Sequence, residues 1–152
     1  MQTVGLTALV EKLKLKILTP DVDMSNIAIT TPNINRPALQ LAGYFDHFAS
    51  DRVQIIGYVE YTYLKHLTAE QRVPIYEKFL SSEIPCVIFS SRTEPDEEFL
   101  ELAIKYNKPL LASDQETSPF MAEIIRALST MLAPCISIHG VLVDVYGEGV
   151  LL

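Results

Sequence analysis

The apolar residues of this chain change period several times, and each change marks an element. Val4, Leu6, Leu9, Val10 and Leu13 recur at helical spacing, so residues 4–13 predict a short helix with one apolar face. LKLKIL at 13–18 alternates with period two and predicts a strand that follows or overlaps it. NIAITT at 26–31 predicts a second short strand. NINRPALQLAGYFD at 33–46 mixes its signals: Arg36 stands before a proline and should be extended, Pro37 can open a brief helix, and Gly43 should end it. RVQIIG at 52–57 predicts a strand, and YVEYTYLKHL a helix that turns Tyr61 and Leu64 inward. TAEQ at 68–71 fits a capping box in which Thr68 caps and Gln71 reaches back, opening a helix to about Leu80. PCVIFS at 85–90 is another strand. TEPDEEFLELAIKYNK then predicts a helix over 95–107. Thr93 is its expected cap, acidic residues sit at its positive end, Lys105 and Lys108 sit at the other, and Phe99, Leu102 and Ala103 form the inner stripe. KPLLAS supplies a strand at 109–112. A last helix over 118–132 sets Phe120, Ile124, Leu128 and Leu132 four apart, with Met121 and Ile125 widening the face and Pro134 closing it.

Strands 53–57, 86–90 and 109–112 alternate with single helices, which predicts βαβ units. The fold class is therefore α/β, a largely parallel sheet with flanking helices over residues 1–133. After Pro134 the pattern changes. ISIHGVLVDVYGEGVLL is all strand, with Gly147 and Gly149 around a tight turn. Residues 134–152 are expected to begin a second domain that the chain does not complete. Their hairpin, over 136–152, is expected to lie apart from the first sheet, disordered or paired with another chain.

Composition narrows the function classes. The chain has 152 residues, 49% hydrophobic and 20% charged, enough to fold around a real core. A net charge of -7 leaves no basic face for phosphate backbones, which argues against a nucleic-acid partner. No apolar run approaches the length of a membrane span. Glu11 and three lysines interrupt the N-terminal apolar pattern, unlike a signal peptide. A cytoplasmic protein without a membrane partner is expected. Cys86 and Cys135 each follow a proline at a strand entrance and read as buried free thiols rather than a disulfide or a metal centre.

The ending carries a resemblance. HGVLVDVYGEGVLL, with NRPALQLAGYFDHF, RVQIIG, EIPCVIFS, EFLELAIKYNKPLLAS, TSPF and LAPCISIHG upstream, resembles bacterial HPr kinase/phosphorylase over essentially the whole chain. The family often has glycine where this chain has Ala38, a departure that touches no catalytic role. The resemblance implies an enzyme of carbon catabolite control that phosphorylates a regulatory serine of the phosphocarrier protein HPr with ATP or pyrophosphate. It implies the reverse reaction too, in which inorganic phosphate attacks the phosphoserine and pyrophosphate leaves. Mg²⁺ as cofactor, a homohexamer, and fructose 1,6-bisphosphate as an effector favouring the kinase direction are further implications. The first domain would resemble the N-terminal domain of Mur ligases, and the catalytic core would lie C-terminal to it. The family's catalytic histidine sits in a His-Gly pair, which here is His139 and Gly140.

Read without that resemblance, His139 is a histidine bonded to backbone at a strand start. No GxxxxGK[ST] occurs in the 152 residues, so nothing in them can wrap the phosphates of ATP and hold Mg²⁺. In the family that loop would begin a few residues beyond Leu152, so the chain by itself is expected to be inactive and to hold no cofactor. Arg36, fixed by Pro37, either presents its fork to an anion or ties its loop to Asp46 or Glu60. Asp144 reads as a solvent-facing strand residue, and His66 as a helix-surface residue. Asp46 and His47 are adjacent on extended chain and point apart, which argues against a metal pair. Three functions remain in play: part of a phosphoryl-transfer enzyme, a sensor of a nucleotide or other anion, or a spacer that shapes an oligomer.

Overall fold

The computed structural model describes residues 3–133. His139, Asp144, Cys135 and the expected hairpin over 136–152 lie outside the described residues. The elements run β1 (Val4–Gly5), α1 (Leu6–Leu13), β2 (Lys16–Ile17), β3 (Ala28–Ile29), β4 (Ile34–Asn35), α2 (Ala38–Leu41), β5 (Val53–Ile56), α3 (Tyr58–Lys65), α4 (Ala69–Leu80), β6 (Val87–Phe89), α5 (Glu97–Lys105), β7 (Leu110–Ala112) and α6 (Thr117–Met131). Five strands form the main sheet in the order β2-β7-β6-β5-β4, and β1 pairs with β3 in a separate ribbon. β4, β5, β6 and β7 are mutually parallel, while β2 closes one edge antiparallel to β7. The expected α/β architecture is what the chain adopts.

Period-two alternation in the central strands divides the core in two. Val53, Ile55, Cys86, Ile88 and Leu111 face one side, where α1 and α6 cover them with Leu6, Leu9, Phe120, Ile124 and Leu128. Ile56, Val87, Phe89 and Leu110 face the other, under Tyr61, Tyr76, Phe79 and Phe99 of α3 to α5. All four β5 residues are buried, as a strand covered on both faces requires. Gln54 is the polar exception. Its amide donates to the Ala49 and Arg52 carbonyls at 3.1 and 2.7 Å, and its oxygen accepts from Asn35 at 2.6 Å, so its polar atoms are satisfied inside the core. Each fully buried Leu, Ile or Phe contributes about 1.5–3 kcal/mol, so the two clusters supply the bulk of the driving force.

Several boundaries move for identifiable reasons. Val4 and Gly5 leave the expected first helix to pair with β3, and Lys14, at φ 54°, ends α1 in a left-handed turn. The capping box of Thr68 and Gln71 is present in both directions. Gly43 ends α2 at φ +99°, a backbone setting that favours glycine. The cap of α5 is not Thr93 but Asp96, whose carboxylate accepts from the Phe99 amide at 2.8 Å. Pro95 therefore precedes the cap, and the charged acceptor is placed at the helix's positive end. Ile125 is 40% exposed and falls outside the buried stripe of α6, which Phe120, Ile124 and Leu128 occupy. Cys86 is a free, fully buried thiol, and burial pushes its pKa up to about 12. His66 lies exposed at the end of α3.

Candidate functional site

Four parallel strands end at one edge of the sheet, and the residues just beyond them meet there. Arg36 follows β4, Gly57 follows β5, Ser90 and Ser91 follow β6, and Thr117 opens α6. A crevice of about 560 Å³ lies among them, lined by Arg36, Tyr58, Glu60, Ser91, Thr117 and Ser118, among others. The carboxyl edge of a parallel sheet is the usual ligand position in open α/β folds.

Arg36 makes an ion pair with Glu60, which is one of the two carboxylates its sequence context suggested. The Arg36 side chain is 38% exposed and that of Glu60 is 9% exposed. Glu60 Oε1 is buried and has no hydrogen-bond partner among the described residues. Gly57 makes this closeness possible. A Cβ there would lie 2.8 Å from Thr117 Oγ1, 2.9 Å from Glu60 Oε1 and 3.1 Å from an Arg36 guanidinium nitrogen. Thr117 is held in turn by hydroxyl contacts with Ser90 Oγ at 2.6 Å and Ser91 Oγ at 3.0 Å, and its amide donates to Ser91 Oγ at 3.1 Å. The start of α6 is thus fastened to the end of β6.

Two helices open at this edge without a side-chain cap from their own N-cap residues, although Ser91 Oγ takes the first amide of α6. Gly57 precedes α3 and Glu116 precedes α6, and neither offers a capping hydrogen bond. Their first-turn amides have no intrahelical acceptor, and the positive ends of both helices face this edge. Ser91 and Arg92 are consecutive left-handed residues at φ 56° and 57°. Such a setting costs about 1–2 kcal/mol for each non-glycine residue. It is held by the Ser91 amide donating to the Gln115 carbonyl at 2.7 Å and the Thr93 amide to the Ser90 carbonyl at 3.0 Å. On the far side of this loop a second hollow of about 350 Å³ is lined by Lys16, Arg92, Thr93 and Asp114, among others. Thr93 Oγ1 is buried there with no hydrogen-bond partner among the described residues.

Of the residues singled out from sequence, the structure brings Arg36 and Glu60 together and leaves Asp46 outside their pair. Among the described residues no group of three or more His, Cys, Asp or Glu side chains gathers to hold a metal. Gly57, Ser91 and Thr117 carried no motif. Their one signal was position: Gly57 ends a predicted strand, Ser91 directly follows one, and Thr117 immediately precedes a predicted helix.

Fold and crevice define an open α/β domain with a mostly parallel sheet and a crevice beyond the carboxyl ends of its strands. The sequence profile described as HPr Serine kinase N terminus matches residues 4–128, and the chain belongs to that family. HPr kinase/phosphorylase of Lachnoclostridium phytofermentans is 52% identical over all 152 residues, which make up 49% of that protein. The proteins of the same name from Caldicellulosiruptor bescii and Streptococcus thermophilus (strain CNRZ 1066) are 47% and 40% identical over 150 residues, 99% of this chain and 48% of each relative. The chain thus spans about half the length of these curated relatives. A crystal structure of the CBS and DRTGG domains of the regulatory region of Clostridium perfringens pyrophosphatase, complexed with the activator diadenosine tetraphosphate, aligns with a TM-score of 0.53 at 16% identity. That alignment covers 80% of this chain and 45% of that one. At that identity the likeness concerns the fold alone.

Proposed function

We propose that this chain supplies the N-terminal part of a bifunctional enzyme that phosphorylates a regulatory serine of HPr and reverses the reaction by phosphorolysis. The observation that carries this reading is the 52% identity over all 152 residues to a protein named HPr kinase/phosphorylase. In this reading the complete protein uses ATP or pyrophosphate with Mg²⁺, assembles as a homohexamer in the cytoplasm, responds to fructose 1,6-bisphosphate and serves carbon catabolite control. The 152 residues contain no phosphate loop, so no step through nucleotide or Mg²⁺ falls to them, and the chain alone is inactive. Its fold is read as akin to the N-terminal domain of Mur ligases. His139 is the residue assigned a catalytic role, that of binding phosphate or orienting the catalytic carboxylate. Phosphopeptide mapping of HPr after incubation with the complete protein, ATP and Mg²⁺ tests the reading. Phosphate on a single serine is expected, and phosphate on histidine only, or on no residue, would refute it.

A second reading concerns the role of the described domain within that enzyme: it binds a small anionic ligand and reports it to the rest of the protein. The crevice at the carboxyl edge, with Arg36 and two helix starts that lack a cap from their own N-cap residues, favours this over a spacer that only shapes an oligomer. Solution NMR of the chain titrated with phosphorylated small molecules tests it. Saturable shifts at Gly57 and Ser118 are expected, and their absence would leave the spacer role.

A further inference from the structure

Glu60 is the misfit in the crevice. Its side chain is nine-tenths buried, and one oxygen is taken by Arg36. The other, Oε1, is buried beside Gly57 and Thr117 with no partner among the described residues. A buried acceptor left in that state is costly, and more so when it belongs to a carboxylate. It lacks a donor. A few ångströms of chain away the need is the opposite: the first-turn amides of α3 and α6, at Tyr58, Val59 and Ser118, are donors without intrahelical acceptors and without side-chain caps.

A bare inorganic anion answers only half of this. It would fill the helix starts and draw the guanidinium of Arg36 toward itself. Glu60 would then be a nine-tenths-buried carboxylate without its counter-charge, a strongly unfavourable arrangement. A molecule that carries hydroxyls beside its anionic group answers both halves. The anion takes the amides and the guanidinium, and the hydroxyls donate to the carboxylate that Arg36 releases. Carboxylates facing ribose hydroxyls in dinucleotide-binding folds use the same pairing.

We infer that the crevice binds a phosphate ester with a neighbouring pair of hydroxyls, with the phosphate on the amides of α3 and α6 and on Arg36, and the diol on Glu60. The inference rests on the reading of this domain as a ligand-binding module. Sugar phosphates and nucleotides share that chemistry. Tyr58, 61% exposed beside the crevice, distinguishes them, because its ring can stack a base.

The test is an NMR titration of the isotopically labelled 152-residue chain with inorganic phosphate, ribose 5-phosphate, 2-deoxyribose 5-phosphate and AMP, followed at the Gly57, Tyr58 and Ser118 amides. Ribose 5-phosphate is expected to bind at least about tenfold more tightly than inorganic phosphate, and the deoxy sugar is expected to lose most of that margin. AMP binding more tightly still identifies a nucleotide site, and AMP equal to ribose 5-phosphate identifies a sugar-phosphate site. In Glu60→Gln the ratio between ribose 5-phosphate and inorganic phosphate should shrink to less than about threefold, because the carboxylate no longer discriminates. Inorganic phosphate binding as tightly as ribose 5-phosphate in the wild type would overturn the ligand class and leave the binding module standing. No shift at these amides with any probe would overturn both. The wild-type comparison decides the matter even if the variant does not fold.

Discussion

Gly57→Ala is the sharpest local probe of the crevice. The backbone at Gly57 has φ -98° and ψ -179°, extended values that any residue adopts, so alanine meets no conformational penalty there. The effect is purely one of space. The added methyl carbon would lie 2.8 Å from Thr117 Oγ1 and 2.9 Å from Glu60 Oε1, closer than carbon and oxygen pack. Neither neighbour retreats cheaply. Thr117 is fixed by the hydroxyls of Ser90 and Ser91, and Glu60 by Arg36 and by its own burial. Overpacking of this kind costs about 1–3 kcal/mol. At this chain length each kcal/mol moves Tm by roughly 2–4 °C. Two other glycines calibrate the result. Gly5 has φ -65° and no atom within 4 Å of a built Cβ, so Gly5→Ala should stay within about 0.5 kcal/mol of wild type. Gly43 also has open space but φ +99°, so Gly43→Ala should lose about 1–2 kcal/mol through backbone strain alone. Urea titrations of the three variants give the ordering directly. Gly57→Ala as stable as Gly5→Ala would mean that Arg36, Glu60 and Thr117 do not converge as described.

Asp96→Ala should cost about 2–4 kcal/mol, since Asp96 caps α5 and also accepts from the buried Tyr76 hydroxyl at 2.9 Å; a urea midpoint within error of wild type would refute both roles. Stability should fall in alkali. Burial raises the Cys86 pKa from 9.0 to about 12 and also pushes the Tyr61 and Tyr76 hydroxyls up, so the fold keeps protons that the unfolded chain loses. Their contribution is whole below the unfolded values and is lost as pH rises past them, at about 1.4 kcal/mol per pH unit for Cys86. Denaturation midpoints measured from pH 7 to 10.5 should decline above about pH 9, less steeply in Cys86→Ala, and a flat profile would contradict the burial. In the complete protein, His139→Ala should slow phosphorylation and phosphorolysis alike, by about 2–4 kcal/mol in each barrier, with Tm unchanged. A lower Tm with normal turnover per folded molecule would remove His139 from the catalytic set.

The parts of the fold that were legible in the sequence are those where period and length agree. The runs at 53–56, 87–89 and 110–112 are short, apolar and bounded by turn residues, and they became the parallel core. The capping box at Thr68 is local chemistry and needs no tertiary knowledge. β4 has two residues, and its apolar signal was absorbed into the irregular stretch before Pro37. Thr93 and Asp96 are both competent caps, and only the helix start at Glu97 decides between them. Pro37 marked Arg36 as restricted, and the sequence left an anion, Asp46 and Glu60 open as its partners; Glu60, 24 residues away, becomes the partner only when α3 is set beside the end of β4. The rest of the crevice carried no such mark. Gly57, Ser91 and Thr117 become one site only when β5, β6 and α6 are set side by side, and that order is a property of the topology rather than of any local pattern.

The most direct measurement is phosphoryl transfer to HPr from labelled ATP, run in parallel with the 152-residue chain and with the complete protein that contains it. The complete protein should label HPr on serine and, given inorganic phosphate, should remove that label with release of pyrophosphate. The 152-residue chain should fold and show no transfer above a mock purification. Transfer by the chain alone, or none by the complete protein, would contradict the division of labour proposed for this family member.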